Sequence, residues 1–286
     1  MQTLAVRHPR QAGQFYEDSE RSLRRQIEEC FLHRLGPGGL PPRSDSSLTN
    51  LIALVSPHAG YMFSGPVAAH AYYQAAERGK PDAAVILGPN HTGIGSGISI
   101  VTKGRWRTPL GDISVDEDLS RAIQAESNII DMDENAHVFE HSIEVQLPFL
   151  QYIYGAGLTF VPICMMFQDL RTSVEVGSAL GKAAKGRNVL IVASTDLTHY
   201  ESQKAAEAKD RSVIDAILNL DEAELQHRVE SQNITMCGYG PVNVAIVASK
   251  ALGAKAAKLL SYHTSGDITQ DYSHVVGYCS IAIDRA

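Results

Sequence analysis

Short, uninterrupted apolar runs alternate along this chain with segments of helical period, and no other feature constrains its fold as much. Leu51 to Ser56, Ala83 to Leu87 and Val189 to Ala193 are apolar nearly throughout, so a strand formed there has no polar face to give to water. Helical spacing marks Val67 to Glu77, Ser142 to Tyr154, Glu175 to Ala184, Gln203 to Leu218 and Pro241 to Ala251. Strands buried on both faces and separated by helices predict an α/β fold, with a mainly parallel central sheet flanked by helices. Ile98 to Val101, Phe160 to Cys164, Lys258 to Tyr262 and Val276 to Ile283 supply further strands. A first helix, Ser19 to Leu35, precedes them with Ser19 as its N-cap. Gly36-Pro37-Gly38-Gly39 and Pro41-Pro42 break that pattern, and the polar stretch to Asn50 reads as a surface loop. With no linker and no internal repeat, residues 1–286 are expected to form a single domain.

Charge narrows the partner. The formal net charge is -7 and Lys and Arg are scattered, which argues against nucleic acid or an anionic membrane as the ligand, since both need concentrated cations. A small molecule or a protein is expected instead. No apolar run is long enough to span a bilayer. Met1 to Tyr16 carries charges and Pro9 but no continuous apolar core, so no signal peptide is expected. The four cysteines, Cys30, Cys164, Cys237 and Cys279, show no C-x-x-C spacing. A disulfide framework is not expected, and the location predicted is the cytoplasm.

Three of the strand-like runs end in abrupt polar clusters: Ser56-Pro57-His58-Ala59-Gly60, Gly88-Pro89-Asn90-His91 and Ser194-Thr195-Asp196-Leu197-Thr198-His199. In an open α/β sheet, ligands bind beyond the carboxyl ends of the strands, where neighbouring loops converge. A lone histidine is usually a hydrogen-bonded structural residue, and His8, His33, His70, His227, His263 and His274 are read in that way. Histidines at three equivalent strand ends point to a site. Two imidazoles and one anionic ligand suit a divalent transition metal with open positions. His58 and His91 supply the pair; the anion is either Asp196 or the Cys237 thiolate. Cys237 lies among glycines just before a predicted helix, where partial positive charge lowers a thiol pKa, whereas Cys30, Cys164 and Cys279 sit within apolar patterns and read as buried hydrophobes.

His137-Val138-Phe139-Glu140-His141 matches H-x-x-E-H, the inverted zinc-peptidase pattern. That chemistry needs both histidines on one helical face, but Asp133 to Ala136 reads as loop and the helix as beginning near Ser142. Glu140 and His141 are therefore placed at a helix start, facing the pocket as acid/base or substrate-binding groups, with a capping or buried hydrogen-bonding role as the rival and a zinc hydrolase as a further reading of the cluster. Tyr61 is read as pocket lining or packing, and Trp106 as a pocket wall or the pin of a hairpin. Gly93, Gly95 and Gly97 lack the lysine and spacing of a phosphate loop.

Together, Pro57-His58-Ala59-Gly60-Tyr61, Leu87 to His91, Arg107 to Leu110, Glu140-His141-Ser142-Ile143-Glu144, Leu147-Pro148, Asp196 to His199 and Cys237-Gly238 resemble the MEMO family. Its bacterial and archaeal members are called AmmeMemoRadiSam system protein B. The likeness runs from Ala12 to Ile283. It implies a fold similar to the class III extradiol dioxygenases, which open catechol rings with non-haem Fe(II). It also implies a metal held by His58, His91 and Cys237, with Asp196, His199 and His141 behind them, and a pathway shared with radical SAM and AMMECR-type proteins. The dioxygenases hold iron with two histidines and a carboxylate, so a thiolate in that place argues against ordinary ring cleavage. The expected function is a non-haem redox or oxygenase-like enzyme on a small organic substrate. Fe(II) is the favoured metal, Cu and Zn the alternatives, and a binding protein for regulation or partner assembly the rival reading.

Overall fold

The computed structural model describes residues 6–155 and 157–285, so the first five residues of the N-terminal segment Met1 to Tyr16 lie outside the described residues. One twelve-stranded sheet runs through them. Its centre is four parallel strands in the order Thr159–Met165, Ala83–Pro89, Val189–Ser194, Leu51–Ser56. Val275–Arg285 pairs antiparallel with Leu51–Ser56 and carries the antiparallel Ala254–Thr264. On the far side, Gly111–Val115 runs parallel to Thr159–Met165 and forms a hairpin with Arg105–Thr108.

Why the central strands lack polar alternation is visible in their packing. Val85 and Leu87 enter one apolar cluster while Ala84 and Ile86 enter the other, on the opposite face of the sheet. Ile191 and Ala193 alternate with Leu190 and Val192 in the same way. The first cluster is closed by Glu117–Ala125, Leu170–Ala183, Gln203–Leu218, Glu222–Ser231 and Tyr239–Ala251, the second by Glu20–Leu32, Tyr61–Arg78 and Leu147–Tyr154. Side chains of period two therefore meet helices whichever way they point. Truncating a fully buried member such as Ile86 to alanine is expected to cost about 2–5 kcal/mol.

The mainly parallel sheet flanked by helices is thus present, with local departures. Glu20–Leu32 is capped by the Ser19 hydroxyl as predicted. The helix predicted from Val67 begins at Tyr61 and runs through Pro66; there Gly65 lies so close to Cys30 Sγ that a Cβ has no room. The helix predicted from Ser142 is instead a 3-10 turn, Glu144–Gln146, followed by Leu147–Tyr154, because Pro148 lacks an N–H and fits only a first turn. Asn135–Val138, which overlaps a predicted loop, forms one helical turn. Two helices, Glu117–Ala125 and Glu222–Ser231, were not anticipated; Asp116 and Asp221 cap them. No helix among the described residues is long and apolar enough to cross a membrane.

Candidate metal centre

Adjacent strands deliver the site. Ser56 lies opposite Ser194, and Leu87 opposite Ala193, so the chain leaves the sheet side by side at His58, His91 and Asp196. Cys237 is brought in by the turn before Tyr239–Ala251. Its amide donates to the Asp196 carbonyl (3.3 Å), and the Gly238 amide donates to Thr195 Oγ1 (2.9 Å). A Cβ at Gly238 would run into the Ser194 carbonyl, so only glycine lets this turn seat against the strand end.

His58, His91 and Cys237 offer ligand atoms that all lie within 4.8 Å of one another. His58 Nε2 is 3.2 Å from Cys237 Sγ, and the two imidazoles stand edge to face with centroids 5.2 Å apart. His91 Nδ1 is committed to Glu140 Oε1 at 2.9 Å. An ionised carboxylate only accepts, so His91 carries its proton on Nδ1 and presents an Nε2 lone pair. Glu140 is 1% exposed. Burial alone would raise its pKa, but the hydrogen bond and charge of His91, with His141 and the Ser142 amide, hold it well below the usual carboxylate range.

His91, Glu140 and His141 form a second group within the same distance limit. Glu140, however, is already held on both oxygens. Besides His91 Nδ1, it accepts the amides of His91 (2.6 Å), His141 (2.9 Å) and Ser142 (2.8 Å). Three of these donors crowd Oε1 and one meets Oε2, so both oxygens are engaged. Glu140, expected among the acid/base groups, is therefore engaged in holding His91 and the turn around it.

Cys237 is half-buried, and its thiol does not behave as its helix N-terminus predicts. Burial pushes the pKa up and the Asp196 carboxylate pushes the same way, outweighing the Asp196 N–H at 3.2 Å and the Thr195 hydroxyl. Desolvation wins because a partial helix charge is small beside the loss of water. A sulfur so placed, facing imidazole lone pairs, needs either its proton or a cation. Two imidazoles and a thiolate fit Fe, Cu or Zn and do not fit Mg or Ca.

Asp196, the alternative anion, is not gathered with the three ligand atoms. Its Oδ1 accepts the backbone N–H of His58 at 2.8 Å, and it also receives the Ala59 amide. It fixes the backbone from which the His58 ring projects; it does not bond the ring. Burial raises its pKa against those hydrogen bonds. His141 stacks on His91 with centroids 4.5 Å apart and meets His58 edge-on at 5.4 Å; burial lowers its pKa while Glu140 raises it. His199 donates Nδ1–H to the Thr235 carbonyl (2.9 Å).

His137 goes elsewhere. It is 1% exposed, bonds Ser99 Oγ (3.0 Å) and packs on Trp106, and burial drives its pKa down to about 3. The zinc-peptidase pattern is therefore not assembled. Trp106 pins the hairpin, beneath the Arg7 guanidinium at 4.2 Å, and Tyr61 is packing, its hydroxyl on the Val145 carbonyl.

Two features escaped sequence reasoning. Ser194 Oγ lies 2.8 Å from His58 Nδ1, backed by Gln146; the sequence marks Ser194 only as one member of a strand-end polar cluster, and its pairing with His58 and Gln146 exists only once the fold juxtaposes them. Glu144, fully buried, pairs with Arg7 (2.6 Å) and accepts from the Arg10 and Gln11 amides and the Tyr16 hydroxyl. Arg7 also donates to the carbonyls of His137 and Glu140, both at 2.7 Å, steadying the loop that carries Glu140.

Known proteins resemble this chain over nearly its whole length. A family profile described as "Memo-like protein" matches residues 7–282. A "MEMO1 family protein" of Methanopyrus kandleri is 52% identical over 281 residues, covering 98% of this chain and 99% of the relative. Another, of Methanothermobacter thermautotrophicus, is 48% identical over 97% of this chain and 100% of the relative. Among solved structures, an uncharacterized protein of Escherichia coli K12 shares the fold at a TM-score of 0.53 and 12% identity, covering 82% of this chain and 99% of that one. With nearly its whole length matched at about half identity, the chain belongs to the Memo-like protein family.

Proposed function

We propose that this chain is a metal-dependent enzyme of redox or oxygenase type acting on a small organic substrate, with Fe(II) as its metal and Cu or Zn as alternatives. The convergence of His58 Nε2, His91 and Cys237 Sγ carries the reading. Those three residues would hold the ion. When bound, iron or copper would supply Lewis acidity and one-electron chemistry there.

The remaining groups divide the work of holding and moving protons. Glu140 keeps the His91 proton on Nδ1. His199, with Nδ1 on the Thr235 carbonyl, keeps Nε2 free to take a proton from substrate and return it. His141, stacked on His91 and edge-on to His58, serves the same space. Asp196 fixes the His58 backbone. The thiolate supports a second reading, a metal- or ligand-binding protein for regulation or assembly, because it departs from the ligand set of the dioxygenases.

Metal analysis of anaerobically prepared chain, followed by turnover of catechols and other small aromatics with added Fe(II), separates these. The enzyme reading expects retained metal, loss of metal in His58→Ala, and turnover abolished in His199→Ala with metal kept. Retained metal without turnover on any substrate class favours the binding reading. Absence of Fe, Cu and Zn from wild type, with His58→Ala no different, removes both.

A further inference from the structure

Ser194 ends the Val189–Ser194 strand, fully buried, and makes three hydrogen bonds whose directions can be assigned. Its Oγ lies 2.7 Å from the Ser142 carbonyl, 2.8 Å from Gln146 Nε2 and 2.8 Å from His58 Nδ1. Gln146 has only one sensible orientation. Its Oε1 accepts the Tyr72 hydroxyl and its Nε2 donates to the Pro57 carbonyl at 3.0 Å as well as to Ser194. The Ser142 carbonyl can only accept, so the single hydroxyl hydrogen of Ser194 goes there. Were it turned to His58, two oxygens would face each other at 2.7 Å with a buried carbonyl unmet. Ser194 is left with lone pairs alone for His58.

We infer that Ser194 is a positioning residue of the metal centre: it fixes His58 as the Nδ1–H tautomer and turns the ring so that the Nε2 lone pair faces Cys237 Sγ. A histidine in water favours the opposite tautomer, with its proton on Nε2, where it would block a ligand position. Tyr72, Gln146 and the two carbonyls form a fixed chain of donors and acceptors behind Ser194, and none of them bears charge when Tyr72 is a phenol. The assignment of the proton holds for the metal-free chain; its consequence for metal rests on the function proposed above.

Nitrogen-15 NMR of histidine-labelled, metal-free, reduced chain near neutral pH reads the tautomer directly. Wild type should show His58 protonated on Nδ1 with an unprotonated Nε2. Ser194→Ala should shift His58 toward Nε2–H and weaken Zn(II) about tenfold in chelator competition, the lower end of what supporting groups contribute. Ser194→Thr, which keeps the hydroxyl, should restore the wild-type tautomer. A merely structural serine would lower the melting temperature in Ser194→Ala and leave the tautomer where it was. That result, or an Nε2–H His58 in wild type, overturns the inference; the second needs no variant to fold. Failure of the metal reading is a separate outcome, a wild-type chain that binds no Zn(II) while its His58 tautomer is still Nδ1–H.

Discussion

The two imidazole walls of the site reach the same tautomer by different means. His91 sits on the turn after Ala83–Pro89 with a third of its side chain exposed, and an anionic carboxylate holds its Nδ1. His58 is 2% exposed, and a neutral hydroxyl holds its Nδ1. The carboxylate fixes the proton of the histidine that solvent can still reach, and it brings a negative charge that a bound cation would balance. The hydroxyl sets direction without charge, which suits a ring that burial already keeps neutral. Burial, followed by the neighbouring charges of His141 and His91, lowers the His58 pKa well below its ordinary value. One wall is electrostatic, the other geometric.

Removing the electrostatic wall should have the largest effect. Glu140→Ala strands three backbone amides and His91 Nδ1, so the metal-free fold should lose at least about 3 kcal/mol in urea unfolding. Zn(II) affinity should fall about 100-fold or more by competition titration. Glu140→Gln keeps the shape and loses the charge, and should weaken Zn(II) by about 10–100-fold, more than the neutral-wall variant Ser194→Ala. Equal losses in the two would erase the distinction between the walls.

Acid should separate the walls by pH. In the unfolded chain His58 and His137 take protons near 6.5, whereas in the folded chain burial keeps them neutral, His137 down to about 3. The unfolded state then binds more protons, so stability falls as pH drops below about 6.5, by up to about 1.4 kcal/mol per pH unit for each group. Glu140 works in a lower window. Its folded pKa lies below the ordinary value of about 4.3, so its contribution is complete above that pH and is lost as pH falls through the folded value. Subtracting the Glu140→Gln stability profile from wild type should leave its main difference in the lower window, with a smaller one in the histidine range because Glu140 also raises the His141 pKa. A difference larger near 6.5 than in the lower window would assign the upper window to the wrong wall.

The smallest effect is expected at Asp196, which touches neither ring. Asp196→Asn keeps an oxygen for the His58 amide, so Zn(II) affinity should change by no more than about threefold. The same change removes a charge that pushes the Cys237 thiol up, and alkylation rates against pH should report a lower thiol pKa. A large affinity loss would return Asp196 to the ligand set.

How much of this was written locally in the sequence differs by residue. His58 and His91 were legible because apolar runs end abruptly there, and strand ends of a parallel sheet converge. Cys237 was legible as a site residue from its glycines, but its pKa was read in the wrong direction, since burial and the approach of Asp196 are tertiary facts. Ser194, Gln146 and Tyr72 lie far apart in sequence and become a donor–acceptor chain only when strand, turn and helix meet. The Glu117–Ala125 and Glu222–Ser231 helices had readable caps in Asp116 and Asp221, yet each shows only a narrow apolar face, Leu119 with Ile123 and Leu225 with Val229, within charged sequence.

Cobalt(II) loaded anaerobically into the intact chain tests the centre itself, because its absorption distinguishes thiolate from nitrogen and oxygen ligands. The ligand set His58, His91 and Cys237 predicts a thiolate-to-cobalt charge-transfer band in wild type, retained in Asp196→Asn and lost in Cys237→Ser. Cobalt bound without that band, or a spectrum indifferent to Cys237→Ser, would contradict a metal centre built on Cys237.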